Sequence, residues 1–167
     1  DWDTSISKQS PELAKISSLI HSRKKLTTED ILKLTNLAEN FSISELIDNC
    51  LAKNTNKVNR ILNENKFSSD ECILILRTLL FKTKRLLELT RKCTDNKNID
   101  LTISSFKPPI FWKDKEIIKN QIMNWKINEV ENLLVNIKNT EIIVKKHAAN
   151  SLNLVLDFIL TTTKANS

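Results

Sequence analysis

Glycine is absent from the 167-residue sequence, tyrosine is absent too, and there are only two histidines, three cysteines and three prolines. The missing glycine excludes most. The Walker A loop, the dinucleotide-binding turn, the nucleophile elbow and the EF-hand loop all need glycine where backbone approaches a ligand or takes positive φ. Cys50, Cys72 and Cys93 are odd in number, far apart and without a C-x-x-C spacing. With only His21 and His147 beside them they suggest neither a disulfide framework nor a zinc site, and read as small apolar core residues of a reduced compartment. Long apolar runs are missing as well. The longest, Cys72 to Phe81, is 10 residues with Arg77 inside it, and a bilayer needs about 20. Neither a signal peptide nor a membrane span is expected.

What is present suffices for a folded domain. Hydrophobic residues make up 40% and charged residues 28% of the chain, ordinary values for a globular protein. Lys+Arg 26 against Asp+Glu 20 gives a net charge of +6. That balance permits a nucleic acid or an acidic partner without specifying a fold. Lysine, asparagine and isoleucine are heavily used and arginine is limited to Arg23, Arg60, Arg77, Arg85 and Arg91, a bias that AT-rich coding would produce.

Apolar residues recur at helical spacing throughout, and no pair of segments alternates as two pairing strands would. Ser10 and Pro11 start a helix carrying Leu13, Ile16 and Ile20, which should fray near Ser22. Thr27 and Thr28 start a short second helix with Glu29 and Asp30 in its first turn and Ile31, Leu34 and Leu37 on its stripe, ending at Asn40. A capping box at Ser42 and Glu45 opens a third with Ile43, Leu46, Ile47, Cys50 and Leu51. Asn54 or Thr55 caps the next (Val58, Ile61, Leu62), and Asn65 is expected in the left-handed C-terminal position that glycine usually fills. A second capping box, Ser68 and Glu71, opens the longest helix, to about Cys93. Its first half is apolar on nearly every face, as befits the middle of a bundle; its second half carries Lys82, Lys84, Arg85, Arg91 and Lys92 and reads as a solvated face.

From Thr94 to Pro109 the pattern dissolves, with room for one turn at Ile99 to Ile103, and Pro108-Pro109 forbids helix just before it. Helices follow over 113–124 (Ile117, Ile118, Ile122) and 127–146 (Val130, Leu133, Leu134, Ile137), the second with Glu141 four residues before Lys145. Asn150 caps the last (Leu152, Val155, Leu156, Ile159), and 161–167 reads as a loose tail. The expected fold class is all-α: an antiparallel helical bundle over 40–165, preceded by a partial helical domain over 1–39. Two helices cannot bury two faces alone, so 1–39 reads as part of a larger domain.

Nothing in the sequence gathers a nucleophile, a base and a stabiliser, or two facing carboxylates, so no catalytic residue, metal site or cofactor is assigned. His21 and His147 fall at lysine-rich helix ends, where histidine usually assists the helix dipole. Phe106-Lys-Pro-Pro-Ile-Phe-Trp-Lys-Asp-Lys115 stands apart. Trp112, Lys113 and Lys115 make an aromatic flanked by cations, a common device for holding single-stranded nucleic acid. The competing reading has Phe111 and Trp112 staple the loop to the bundle; Trp125, at a helix end, reads as core.

Together the landmarks resemble a known family. F-S-I-S-E-L-I-D-N-C-L from Phe41, the Val58-x-x-Ile-Leu62 helix and I-L-I-L-R-T-L-L-F-K-T-K-R-L-L from Ile73 are similar to the start of the collar domain of the bacterial DNA polymerase III delta subunit. K-P-P-I-F-W-K at Lys107 to Lys113, M-N-W at Met123 to Trp125 and T-E-I-I-V-K at Thr140 to Lys145 follow in matching order. Upstream, P-E-L-A-K-I-S-S-L-I at Pro11 to Ile20 and the segment Leu26 to Leu34 resemble the family's small lid domain. Where family members often place glycine, this chain has Asn54, Asn65 and Lys145-Lys146-His147.

The resemblance implies a cytoplasmic clamp-loader subunit that is not an ATPase. Its collar would pack beside those of the delta prime and gamma or tau subunits in a ring of five. Clamp opening would belong to an N-terminal domain outside this sequence, so the chain alone is expected to be a monomer without intrinsic activity. In the full assembly, exposed flanks of the 69–93 and 127–146 helices would meet neighbouring subunits. Trp112, Lys113 and Lys115 would contact primed DNA. The alternatives are a stand-alone basic helical nucleic-acid-binding or adaptor module, or a helical enzyme using His21 or His147, for which the sequence shows neither a recognition helix nor a perturbed site.

Overall fold

A computed structural model of the chain describes residues 27–165. Seven α-helices and no strand occur among the described residues: α1 (Thr28–Leu51), α2 (Thr55–Glu64), α3 (Cys72–Asn96), α4 (Ile99–Ser105), α5 (Lys115–Asn124), α6 (Ile127–Lys146) and α7 (Ser151–Lys164). Single 3₁₀ turns at Ser69–Glu71, Trp112–Asp114 and Ala148–Asn150 lead into α3, α5 and α7. The helical bundle expected from the apolar periodicity is therefore present. The helix expected from Pro11 falls outside the described residues, as does His21.

The chain divides into two units, residues 1–41 and 42–167. In the first, Thr27 opens α1: its amide donates to Asp30 Oδ2 at 3.0 Å, and its hydroxyl accepts from the Asp30 amide at 3.1 Å. This reciprocal pairing satisfies two otherwise orphaned donors, and hydrogen bonds from Thr27 hold the Asp30 carboxyl below its ordinary value. Ile31 and Leu37 are exposed.

The expected break at Asn40 does not occur. Neither proline nor glycine interrupts the segment, so the helix continues to Leu51, and Ser42 gives its hydroxyl to Asn65 Oδ1 at 3.0 Å instead of capping. Within the second unit, Ile43, Leu46, Ile47, Cys50 and Leu51 are all buried, the stripe read from their spacing. Hydrogen bonds tie 42–51 to four other helices. Lys82 of α3 reaches Ser44 and Asp48, Gln121 Nε2 of α5 donates to the Asp48 carbonyl at 2.9 Å, and the Cys50 thiol donates to the Ile159 carbonyl of α7. Lys57 of α2 pairs with Glu45 at 2.9 Å.

Two lysines take up left-handed backbone where a glycine would be usual. Lys53 (φ 56°) ends α1 and Lys97 (φ 54°) ends α3, each closing its helix with backbone bonds. Asn65, the expected left-handed residue, is extended (φ −112°, ψ 131°) because its side chain is engaged: Nδ2 donates to the Ile61 carbonyl at 2.8 Å. Asn54 does cap α2, accepting from the Lys57 amide at 3.1 Å, and Ser68 with Glu71 opens the turn before α3, the Ser68 amide donating to Glu71 Oε2 at 2.7 Å.

Around this frame α3 packs along α6 and also against α4, α5 and α7, while α7 packs on α2 and α6. The core includes Ile75, Leu76, Leu79, Leu86 and Leu89 of α3, Ile118 of α5, Val130 and Ile137 of α6 and Val155 and Ile159 of α7. Each such side chain stabilises by about 1.5–3 kcal/mol relative to exposure. The segment after α3 holds two helical turns in α4, capped by Asn98, instead of one. Nor is 161–167 loose throughout, since α7 runs to Lys164 with Thr162 and Thr163 buried, the Thr163 hydroxyl donating to the Ile159 carbonyl at 2.7 Å. No helix among the described residues is long and apolar enough to cross a membrane.

Candidate functional site

The loop from Phe106 to Lys115 is anchored by apolar residues at its base. Phe106 is buried, with Lys92 Nζ 4.9 Å from its ring centre, and Ile110 is half-buried against the core. Those two residues, and not the exposed Phe111 and Trp112, staple the loop to the bundle. Pro108 and Pro109 rigidify the intervening backbone, and the Lys107–Pro108 peptide is cis. The chain then turns through Trp112–Asp114, the Asp114 amide donating to the Phe111 carbonyl at 2.9 Å.

That turn projects Trp112 outward. It is 68% exposed, its ring centre lies 6.0 Å from that of Phe111 at a tilt of 44°, and Lys113 Nζ stands 5.5 Å from the indole. Lys115 is exposed at the first turn of α5. The structure thus brings Trp112, Lys113 and Lys115 to one exposed loop-and-helix start. A base stacked on such an indole gains about 1–3 kcal/mol, and the flanking ammonium groups suit phosphates. Asp114 and Glu116 alternate with the lysines, which keeps the local charge small.

A second cluster was not legible as a site. Lys82, read as part of a solvated basic face, turns inward: Nζ donates to Asp48 Oδ2 at 2.5 Å, to Ser44 Oγ at 2.7 Å and to the Ser44 carbonyl at 3.1 Å. Burial pushes its amine below the ordinary lysine value, against the pull of Asp48 and the more distant Asp114. The signal was available, because position 82 is three residues after Leu79 and four before Leu86, on the apolar stripe of α3. This pair joins α1 to α3 and leaves Asp48 Oδ1 buried without a hydrogen-bond partner.

Trp125 belongs to the core, as its position suggested. It is 7% exposed and its indole N–H donates to the Leu51 carbonyl at 2.7 Å, while Lys53 Nζ lies 4.3 Å above the ring. Beside it a cleft of about 260 Å³ opens between α6 and α7, lined by Trp125, Glu129, Leu133, Phe158 and Thr162 among others. His147 ends α6 through its backbone, donating to the Ile143 carbonyl at 3.0 Å, and is exposed. Burial raises the Cys50 thiol to about 12 and also raises Cys72, so neither supplies a thiolate near neutrality.

A further surface lies on the flanks of α3 and α6. Phe81 is 68%, Val135 56% and Ile142 52% exposed. Phe81 departs from the expectation that the first half of α3 is buried all round. No family model matches the sequence, and neither the comparison with curated proteins nor that with solved structures returns a match.

Proposed function

We propose that this chain is an assembly module of a DNA-replication clamp loader, the collar region of a delta-type subunit. It would act in the bacterial cytoplasm and pack beside delta prime and gamma or tau collars so that the sliding clamp can be opened and placed on primed DNA. The module itself performs no reaction; clamp contact belongs to a separate domain. The observation that carries this reading is the row of large apolar side chains on α3 and α6, Phe81, Val135 and Ile142. Large apolar side chains exposed on two packed helices suit a partner-binding surface, and a side-by-side ring of helical bundles would cover them. In this reading Trp112 stacks on a base of the DNA while Lys113 and Lys115 meet phosphates.

Native mass spectrometry of the chain alone and mixed with purified delta prime and gamma subunits from the same source tests the proposal. A monomer alone and a stoichiometric complex in the mixture are expected. Failure to form any complex, under conditions where those subunits assemble with each other, overturns it. For the DNA contact, Trp112→Ala should weaken primed-DNA binding by the full assembly, and unchanged binding removes Trp112 from the interface.

A second reading, a stand-alone nucleic-acid-binding module, is favoured by the exposure of Trp112 beside Lys113. Salt-sensitive binding of single-stranded DNA by the isolated chain, lost in Trp112→Ala, would support it over the assembly reading.

A further inference from the structure

Helices α3 and α6 pack along each other in antiparallel directions. At one end Arg91 pairs with Glu131 at 2.6 Å. At the other, Glu141 is held below its ordinary value first by its hydrogen bond from Lys145, with smaller help from the charges of Lys145 and Arg77. Between these points each helix presents an exposed stripe of the same spacing. Counting from Arg77 on α3, the positions i+4 and i+7 are Phe81 and Lys84; counting from Glu131 on α6, the positions i+4, i+7, i+11 and i+14 are Val135, Lys138, Ile142 and Lys145. Residues so spaced share one face of a helix, and counting from the Arg91–Glu131 pair along antiparallel helices puts Lys84 level with Lys138 and Phe81 level with Glu141, next to Ile142.

The two-helix face therefore interleaves the exposed apolar side chains Phe81, Val135 and Ile142 with the exposed cations Arg77, Lys84, Lys138 and Lys145. Its carboxylates are occupied nearby: Glu131 by Arg91, Glu88 by Lys92 and Glu141 by Lys145. Lys84 and Lys138 have no ion pair among the described residues. An excess of cation around exposed apolar side chains is complementary to a helix with its own apolar stripe bordered by carboxylates. A phosphate backbone would match the lysines but leave Phe81, Val135 and Ile142 facing a polar, hydrated chain.

We infer that this α3–α6 face is the docking site for an acidic amphipathic helix of a partner protein, with Phe81 and Ile142 as its apolar anchors and Lys84 and Lys138 reading the partner's carboxylates. The inference rests on the assembly reading above and gives it a specific face and a chemistry: the neighbouring subunit should contribute a helix with Asp or Glu flanking Leu, Ile or Phe. Lys84 and Lys138 would act mainly by steering and register, Phe81 by buried area.

The test uses the whole chain and two probes: a labelled, acidic Leu/Glu amphipathic helical peptide, and the delta prime and gamma subunits. Lys84→Glu with Lys138→Glu, and separately Phe81→Ser, should each weaken both complexes by at least about tenfold, roughly 1.4 kcal/mol. Glu88→Lys on the same face should not weaken the acidic peptide. All these positions are exposed, so circular dichroism and urea midpoints should match the parent chain. Subunits that bind as well to the variants as to the parent overturn the inference while leaving the assembly reading standing. Peptide binding that depends on Lys84, Lys138 and Phe81, with no binding to the subunits, leaves the docking face standing and removes the assembly reading. Single-stranded oligothymidylate bound by the parent chain in preference to the peptide, and lost in the double variant, overturns the inference in favour of nucleic acid.

Discussion

Lys82 Nζ lies 2.5 Å from Asp48 Oδ2, the two side chains being 11% and 17% exposed, so a charge pair sits at the junction of α1 and α3. Breaking such a pair on one side leaves an uncompensated charge, which costs about 3–5 kcal/mol. Asp48→Ala should therefore lower stability by that order in urea unfolding. Asp48→Leu combined with Lys82→Met should recover most of the loss, since it removes both desolvation penalties together. An Asp48→Ala variant as stable as the parent would show that the pair contributes nothing.

Thr83, next along α3, is fully buried, and its hydroxyl has no hydrogen-bond partner. Replacing an unsatisfied buried hydroxyl with a methyl of the same shape removes its desolvation cost. Thr83→Val is expected to raise stability by about 1 kcal/mol, read as a higher urea midpoint with an unchanged slope.

Alkaline pH separates two buried groups. Burial raises the Cys50 thiol to about 12 from an ordinary 9.0, so between those values the folded chain keeps a proton that the unfolded chain releases, and stability falls as pH rises. Burial lowers the Lys82 amine below 10.5. There the folded chain binds fewer protons than the unfolded one, and stability rises with pH until about 10.5. Cys50→Ala should consequently lose less stability than the parent chain above pH 9.0. In the native chain Cys93, only half-buried, should react with a disulfide reagent before Cys50 or Cys72.

The two described tryptophans differ in environment enough to be told apart. Trp125 is 7% and Trp112 68% exposed. Trp112→Phe should remove a red-shifted emission component that acrylamide quenches easily, with stability changing by no more than about 0.5 kcal/mol. Trp125→Phe should remove a blue-shifted component and leave the Leu51 carbonyl without its donor, at a cost of about 1–3 kcal/mol.

Much of the helical framework was legible from periodicity alone. Ile127–Lys146 coincides with its helix, the Glu141–Lys145 pair forms at 2.6 Å, and Asn54 and Ser68 act as caps. Errors arose where a local signal had a distant competitor. Ser42 and Glu45 look like a capping box, but Ser42 bonds to Asn65 and Glu45 pairs with Lys57, so the helix runs on. Asn65 looks like a left-handed terminator, yet its side chain bonds across to α1 and its backbone stays extended.

The sequence by itself determined that the described chain is helical, which stripes are apolar, and that the Trp112 segment differs in chemistry from its surroundings, because these depend on residue spacing along one chain. Tertiary packing decided which apolar residues face solvent. Leu79 and Phe81 are two residues apart on one apolar helix, and only the placement of α6 and the other neighbours buries the first and exposes the second. Packing likewise turned Lys82 inward, because Asp48 and Ser44 stand within reach of its ammonium group. Burial depends on the elements that cover a face, and a helical period records that face without recording what covers it.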